Sequence, residues 1–166
     1  MNNVFLSLGT NIGSKRNNLI MAIAMLEDLE CTNVKLKSSI YETSPLLNED
    51  LDCFFNQVIL IETELGPFQL LEKTKCIERL MGRETKGDNM PRIIDIDILS
   101  FKDETVFSDD LILPHPGILH RKFVLKPWSE IAPDYIIKGQ TLSIKELYKI
   151  YLGNRFKNQM VNIIDN

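Results

Sequence analysis

The stretch PRIIDIDILSF, residues 91–101, holds the most strongly β-prone run of the chain. Residues two apart in a strand face the same side of a sheet, so Asp95 and Asp97 are predicted to project together. The isoleucines that alternate with them face the opposite side. Carboxylates on an otherwise apolar strand are costly to bury without a positive partner, so this strand points both to a sheet and to a charged site.

The pattern on either side of this strand predicts the rest of the fold. Alternating residues predict strands, and apolar residues at helical spacing predict helices. The order β-α-β-β-α-β is typical of the ferredoxin-like arrangement, an α+β fold with an antiparallel sheet and helices on one face. A mixed segment at 123–131 and a last helix at 143–151 form a C-terminal extension. The predicted elements are strands at 4–8, 33–41, 54–64 and 93–101, with helices after Ser14 and from Pro67 to Gly82.

Two local expectations accompany these elements. Residues 9–13 are predicted to form a loop, and the second helix is expected to present its apolar stripe through Phe68, Leu71, Ile77 and Leu80. The glycines at 9 and 13 do not make a Walker A motif, because only three residues separate them before Lys15. We therefore expect a tight strand-to-helix turn there, with phosphate binding elsewhere.

The composition limits the class of protein. The chain has 166 residues, 44% hydrophobic and 25% charged, so we expect one globular domain over residues 1–166. A net charge of −4 argues against nucleic acid or an anionic membrane surface as the partner. No run approaches the ~20 apolar residues of a membrane span. Three cysteines without a CxxC pair argue against a disulfide framework, so a cytoplasmic location is expected.

The sequence pattern alone allows two interpretations of Asp95 and Asp97. Oxygen ligands at this spacing suit Mg²⁺, which takes one or two carboxylates together with substrate phosphates and water, but a solvated strand face would look the same. Basic residues in the flanking loops could fold into a cationic ring for a metal triphosphate, or could be unrelated surface charges. These basic residues are Arg83, Lys86, Arg92, Arg121, Lys122 and Lys126.

Aromatic residues offer a second candidate site. Phe54 and Asn56 share one strand face, and with Phe123 they could sandwich a flat heterocycle and bind its edge. Core packing is the alternative interpretation for either phenylalanine. The only two histidines, His115 and His120, are too few for a classical zinc site, and a histidine in a rigid loop such as His115 is often incidental.

Taken together, these pieces resemble the 6-hydroxymethyl-7,8-dihydropterin pyrophosphokinase family of folate biosynthesis. The similarity runs through nearly the whole chain, and the PR-x-x-D-x-D signature in this setting is specific. The matching segments are LGTN at 8–11, YETSPL at 41–46, FFN at 54–56, IE at 77–78, GR at 82–83, PR at 91–92, DIDIL at 95–99, PH at 114–115, Arg121 with Phe123, Pro127, and EIAP at 130–133.

The resemblance implies transfer of pyrophosphate from ATP to the hydroxymethyl group of the reduced pterin, with AMP as the second product. It implies two Mg²⁺ ions on Asp95 and Asp97, and catalytic roles for Arg83, Arg92 and Asp97. The pterin contacts it implies are Thr43, Pro45, Leu46, Phe54, Asn56, Asp95 and Phe123. The ATP contacts it implies are Lys75, Glu78, Arg83, Arg92, Ile98, Ile112, His115 and Arg121. No nucleic acid, membrane or obligate protein partner is expected.

The sequence also departs from the family pattern. The loop 83–92 lacks the tryptophan of some members, and it carries Glu84 and Asp88 where basic residues often lie. Met90 replaces a residue that is usually small, Lys75 stands at a position commonly Gln, and Asp110 and Ile112 differ from the expected adenine side. Two alternatives stay open: an RNA-recognition module, which shares the βαββαβ order, and a scaffold that binds pterin or nucleotide without turnover.

Overall fold

The computed structural model describes residues 1–44, 52–83, 91–154 and 161–164. The predicted site residues Pro45, Leu46 and Lys86, and the departures between 84 and 90, lie outside these ranges. The strands are β1 (Asn2–Thr10), β2 (Thr32–Lys37), β3 (Tyr41–Thr43), β4 (Phe54–Thr63), β5 (Asp95–Phe101), β6 (Val106–Phe107), β7 (Ile112–Leu113) and β8 (Val161–Ile163). The helices are α1 (Lys15–Glu27), α2 (Pro67–Leu80), a 3₁₀ turn (Ile118–His120), α3 (Lys122–Ile131) and α4 (Ile144–Asn154).

An antiparallel sheet forms the centre of the molecule. Its described strands run in the order β5-β1-β4-β3-β8, and β2 pairs with β4 beside β3. The two short strands β6 and β7 form a separate hairpin. The α+β class and the antiparallel sheet are therefore confirmed, and β5, the strand that carries the aspartates, lies at one end of the sheet and pairs with β1.

The predicted strand at 33–41 is two strands in the structure. Ser38 lies between them, donates its backbone N–H to the Val58 carbonyl at 2.9 Å and accepts from the Val58 N–H at 3.1 Å through its hydroxyl. A side chain that bonds to the backbone competes with the regular ladder, so the chain leaves the strand at 38–40 and rejoins β4 as β3.

The first strand is longer than predicted. Gly9 and Thr10 were expected in a loop, but Gly9 pairs with Asn56 on one side and with Asp95 on the other, and Thr10 pairs with Phe55. Neighbouring strands satisfy the backbone groups here, which local sequence cannot reveal. The turn that follows leads directly into α1 at Lys15, as expected.

Helices cover both faces of the sheet: α1 and α2 of the βαββαβ unit share one face, as predicted, and the C-terminal helices lie on the other. Residues of α1 and α2 pack with one set of strand residues in one cluster, and those of α3 and α4 pack with the other set. The second face carries Phe5, Val58 and Leu99, which are 4%, 0% and 0% exposed. Because these side chains are apolar, a second layer must shield them from water. Trp128 of α3 supplies part of it, with its ring centroid 4.9 Å from that of Phe5.

The buried face of α2 differs from the predicted stripe. Phe68 and Leu80 are 53% and 71% exposed. The buried positions are Leu70, Thr74, Ile77 and Glu78. The helix thus directs the carboxylate of Glu78 toward the sheet. Gly82 follows the end of the helix with a φ of +94°, a conformation that glycine adopts without strain. Among the described helices, none has the length and apolar character to cross a bilayer.

Candidate functional site

The first carboxylate of β5 is held by two arginines. Asp95 begins the strand, and Arg92 lies three residues before it with Nη1 3.0 Å from Asp95 Oδ2. Arg83, just beyond the end of α2, forms an ion pair with Asp95 Oδ1 through Nη1. All three side chains are largely buried, at 23%, 17% and 12% exposure, so water screens these charges weakly. The end of α2 and the segment just before β5 thus converge on one carboxylate.

The second carboxylate has its own arginine. Asp97 shares a strand face with Asp95, and its Oδ2 lies 2.8 Å from Arg121 Nη1 at the start of α3. The Arg121 guanidinium carbon lies 5.8 Å from the centre of the Phe123 ring, within range of a cation–π contact. A Cβ added to Gly117 would lie 2.8 Å from Arg121 Nε, so the absence of a side chain there makes room for this arginine.

Glu78 joins the cluster from the buried face of α2. Its Oε1 accepts hydrogen bonds from Arg83 Nη1 and from the Ile96 N–H, both at 2.7 Å. Burial raises the pKa of the Glu78 carboxyl, and these two donors oppose that shift. The pKa of Arg83 is raised because its carboxylate neighbours outweigh the opposing effect of burial. Glu78 therefore ties Arg83 to the backbone between the two aspartates.

The aromatic and amide residues lie beside the charged cluster. Gly9 pairs with both Asn56 and Asp95, so β4, β1 and β5 place these residues in one row across the sheet. Asn56 is 3% exposed and donates from Nδ2 to Thr43 Oγ1 at 2.7 Å. The hydrogen bond fixes the orientation of the Asn56 amide. The predicted carboxylate and amide sites are thus one site.

Phe54 links the same row to an arginine. It lies two residues from Asn56 on β4, and the Arg92 guanidinium carbon is 5.4 Å from its ring centre. Phe54 and Phe123 are both only half-buried, unlike core aromatic residues such as Trp128. Part of each ring is therefore open to a ligand, while Phe123 also packs against the core cluster that contains Trp128.

The other predicted ATP contacts are more dispersed. Lys75 is half-buried on α2, one turn before Glu78, and Ile112 is 38% exposed in the β6–β7 hairpin. Ile98 is 3% exposed, with its side chain in the core shared with α1 and α2. His115 is tied to β5, because its N–H donates to the Leu99 carbonyl at 2.9 Å, and its Nδ1 accepts from the Gly117 N–H at 3.0 Å.

The predicted cationic ring forms only in part. Ion pairs join the three acids of the site to three arginines, Arg83, Arg92 and Arg121. Lys126 does not join them in this cluster, because its Nζ lies 5.3 Å from the centre of the Tyr148 ring. Among the described residues, no three His, Cys, Asp or Glu side chains are grouped as a metal cage. The donor set still fits Mg²⁺, because that ion uses one or two carboxylates and completes its shell with phosphates and water.

The sequence reasoning missed two residues of the site, Gly9 and Asn11. A Cβ on Gly9 would lie 3.1 Å from Asn56 Oδ1, so the glycine makes room for that amide. Asn11 is 2% exposed and bonds to the backbone of Arg92. Both were placed in a turn and in the matching segment 8–11, with no role in the site. A polar side chain where a buried strand ends was the available signal, but it does not name its partner.

Comparisons with known proteins agree on one family. Residues 5–133 match the family described as 7,8-dihydro-6-hydroxymethylpterin-pyrophosphokinase (HPPK). The 2-amino-4-hydroxy-6-hydroxymethyldihydropteridine pyrophosphokinase of Bacillus subtilis is 43% identical over 133 residues, which are 80% of this chain and 80% of that protein. The folic acid synthesis protein FOL1 of Dictyostelium discoideum is 40% identical over 135 residues, 81% of this chain and 20% of that longer protein.

A solved structure shares the fold. The HPPK-DHPS of Plasmodium falciparum matches with a TM-score of 0.76 at 18% identity, covering 92% of this chain and 44% of that one.

Proposed function

The chain belongs to the 7,8-dihydro-6-hydroxymethylpterin-pyrophosphokinase family, and on that premise we propose how its own residues carry the reaction. The chain is an ATP-dependent diphosphotransferase of folate biosynthesis. The hydroxymethyl oxygen of the reduced pterin forms a bond to the β-phosphorus of ATP. The bond from that phosphorus to the oxygen that bridges to the α-phosphate breaks. The products are the pterin diphosphate and AMP, with one proton released from the hydroxyl group.

One observation carries the assignment of the site. Three acids and three arginines form ion pairs with one another around the start of β5. The amide of Asn56 lies in the same row of the sheet as Asp95. Phosphoryl transfer depends on positioning and charge stabilisation rather than on covalent catalysis. A site with paired positive and negative groups beside an aromatic and amide pocket suits a triphosphate and a flat heterocycle together.

Asp95 and Asp97 are the proposed ligands of two Mg²⁺ ions. When bound, Mg²⁺ neutralises the charge that develops on the phosphate oxygens and helps to align the reacting groups. Each aspartate now pairs with a guanidinium. Arginine pairs with phosphate in the same bidentate way as with carboxylate, so a triphosphate would offer the arginines an alternative partner and leave the carboxylates to the metal. This exchange of partners keeps every buried charge compensated.

The pterin is proposed to lie between Phe54 and Phe123. Asn56 and the Thr43 backbone would hydrogen-bond to its edge, and Pro45 and Leu46 would complete the pocket. The stacking surfaces are supported by the half-buried rings, each with an arginine nearby. In this arrangement Asp97 is the proposed acceptor of the proton from the attacking hydroxyl. Asp95 is the proposed pterin contact from the same row of the sheet as Asn56.

On the ATP side, Arg83, Arg92 and Arg121 are the proposed phosphate clamp. Lys75, Ile112 and His115 would line the nucleotide, and Ile98 would contribute through its backbone because its side chain is in the core. Glu78 is better supported as the group that orients Arg83 than as a direct nucleotide contact, since its Oε1 accepts hydrogen bonds from two protein donors. Its proposed part in ATP binding is therefore through Arg83.

Three broader assignments accompany this proposal. The strand order β5-β1-β4-β2 supports a ferredoxin-like core, to which α3, α4 and β8 are added as a C-terminal extension. The first strand, β1, and the last described strand, β8, belong to the same sheet, which supports a single domain over residues 1–166. The cysteine pattern supports a cytoplasmic location, where we propose that the chain works on its two small substrates without an obligate protein partner.

The test is to incubate the protein with Mg-ATP and 6-hydroxymethyl-7,8-dihydropterin and to identify the nucleotide product. We expect AMP and the pterin diphosphate in equal amounts. ADP as the product would contradict diphosphotransfer. Binding of both substrates without any product would instead support a scaffold without turnover, and binding of RNA alone would support a recognition module.

A further inference from the structure

Asn11 forms hydrogen bonds with both main-chain polar groups of Arg92. Its Oδ1 accepts from the Arg92 N–H at 2.7 Å, and its own N–H donates to the Arg92 carbonyl at 3.1 Å. Asn11 is 2% exposed and lies just beyond the end of β1. A buried asparagine that satisfies two main-chain groups 81 positions away joins two segments that no strand pairing connects at this point.

Arg92 needs such a support because it lies before β5 rather than within it. Its side chain reaches Asp95 Oδ2 at 3.0 Å and lies over the Phe54 ring at 5.4 Å. The guanidinium is therefore placed between the aspartate and the aromatic surface. The position of its backbone decides whether it can make both contacts.

Asn11 is itself held from α1. The Asn18 Nδ2 donates to Thr10 Oγ1 at 3.2 Å and to the Ile12 carbonyl at 2.9 Å. These acceptors flank Asn11 on both sides, so Asn18 limits the movement of the turn. Hydrogen bonds from α1 thus hold the two chain neighbours of Asn11, Asn11 bonds to the backbone of Arg92, and the Arg92 side chain pairs with Asp95.

We propose that Asn11 is a positioning residue for diphosphotransfer, which acts by fixing the backbone of Arg92. This inference rests on the proposed function of the site. Loss of the Asn11 Oδ1 leaves the Arg92 N–H without its acceptor and allows the guanidinium to shift. A displacement of about 1 Å in a positioned group can reduce the rate on the order of 100-fold. The loss falls mainly on kcat, because a phosphate clamp acts most strongly on the transition state.

A double-mutant cycle tests the proposal. We expect Asn11→Ala to reduce kcat by about 10- to 100-fold, and to have little further effect in an Arg92→Ala background. If Asn11 only stabilises the fold, the two losses multiply instead, which would overturn the proposal. Asn18→Ala is a second variant for the same cycle, with a smaller expected loss, and it serves if Asn11→Ala does not fold. Asn17→Ala is the matched control, because Asn17 is exposed on the same helix.

Amide hydrogen exchange gives a readout that does not depend on turnover. We expect the Arg92 amide to lose protection in Asn11→Ala and to keep it in Asn11→Asp, which retains the acceptor oxygen. Asn11→Asp should also recover most of kcat. Unchanged protection of the Arg92 amide in Asn11→Ala contradicts the inference. A wild-type protein that forms no AMP would refute the proposed function instead, so the two failures are distinguishable.

Discussion

Gly9 lies opposite Asn56 in the pairing of β1 and β4, and a Cβ added to Gly9 would come within 3.1 Å of Asn56 Oδ1. The amide cannot turn away freely, because its Nδ2 is bonded to Thr43 Oγ1 at 2.7 Å. The glycine therefore determines the space available to a side chain that we assign to the pterin edge. Its effect comes from the close approach of two strands.

Gly9→Ala is expected to displace the Asn56 amide by a few tenths of an ångström and to weaken pterin binding. We expect the KM for pterin to rise about tenfold, which corresponds to ~1.4 kcal/mol, with the KM for ATP little changed. Steady-state kinetics with each substrate varied in turn measure this split. Gly66→Ala is the control, because a Cβ there meets its nearest atom at an ordinary 3.5 Å. An equal rise in both KM values would contradict the placement of Asn56.

Asp97→Asn removes a proposed metal ligand and the proposed proton acceptor while keeping the size of the side chain. We expect kcat to fall on the order of 100-fold or more, since a positioned acid–base group contributes that much. Circular dichroism should show a folded protein, because Asp97 lies on β5 at the end of the sheet and its side chain is 31% exposed. Asp134→Asn is the matched control, as its ion pair with Lys145 lies on the surface. A near-normal rate in Asp97→Asn would remove Asp97 from the mechanism.

Tyr41 should make the fold sensitive to alkaline pH. Burial, and secondarily its hydrogen bond to Glu130 at 2.9 Å, raise the pKa of the phenol above its ordinary value of 10.0. Above pH 10 the unfolded chain loses this proton while the folded chain retains it, so the free energy of unfolding falls with rising pH. The slope from one such group is at most about 1.4 kcal/mol per pH unit.

Tyr41→Phe tests that slope directly. At neutral pH we expect the variant to be less stable by about 1 kcal/mol, the ordinary net contribution of a hydrogen bond. Denaturant unfolding at a series of pH values should then show the difference narrowing above pH 10 and reversing as the wild type loses stability. The other tyrosines titrate in both proteins, so the difference isolates Tyr41. Parallel stability curves would show that the phenol is not held as described.

The C-terminal strand should support β3. β8 pairs Ile163 with Tyr41 and Val161 with Thr43, and the Ile164 N–H donates to the Ile40 carbonyl at 2.9 Å. β3 has three residues, so pairing on both edges contributes much of its stability. A chain that ends at residue 154 should have a lower Tm. The expected fall is roughly 2–4 °C for each kcal/mol of unfolding free energy that is lost.

The same truncation should affect one substrate more than the other. Thr43 bonds to Asn56, so we expect the KM for pterin to rise and the KM for ATP to stay close to the wild-type value. Faster hydrogen exchange of the β3 amides is the direct measurement of loosened pairing. A chain that ends at residue 164 keeps β8 and is the control. If both truncations behave like the wild type, β8 does not support the pocket.

The local pattern predicted the elements well and their surroundings less well. Alternation correctly indicated β4 and β5, and Pro67 and Gly82 correctly bounded α2, because each signal resides in a few adjacent residues. Ser38 ends β2 through a contact 20 positions away, which periodicity does not contain. The packing of the C-terminal helices on the second face was not predicted, because the apolar residues that they cover, such as Phe5 and Leu99, are spread over separate strands.

By itself, the sequence determined the class of fold, the family and the chemical types at the site. Asp95 and Asp97 share a face because the period of a strand is two, whatever surrounds it. Only the tertiary structure decided which arginine meets which carboxylate, and that Asn11 and Gly9 belong to the site. Those relationships join residues from β1, β4, α2 and α3, and the energy of a contact depends on separation in space rather than on separation along the chain.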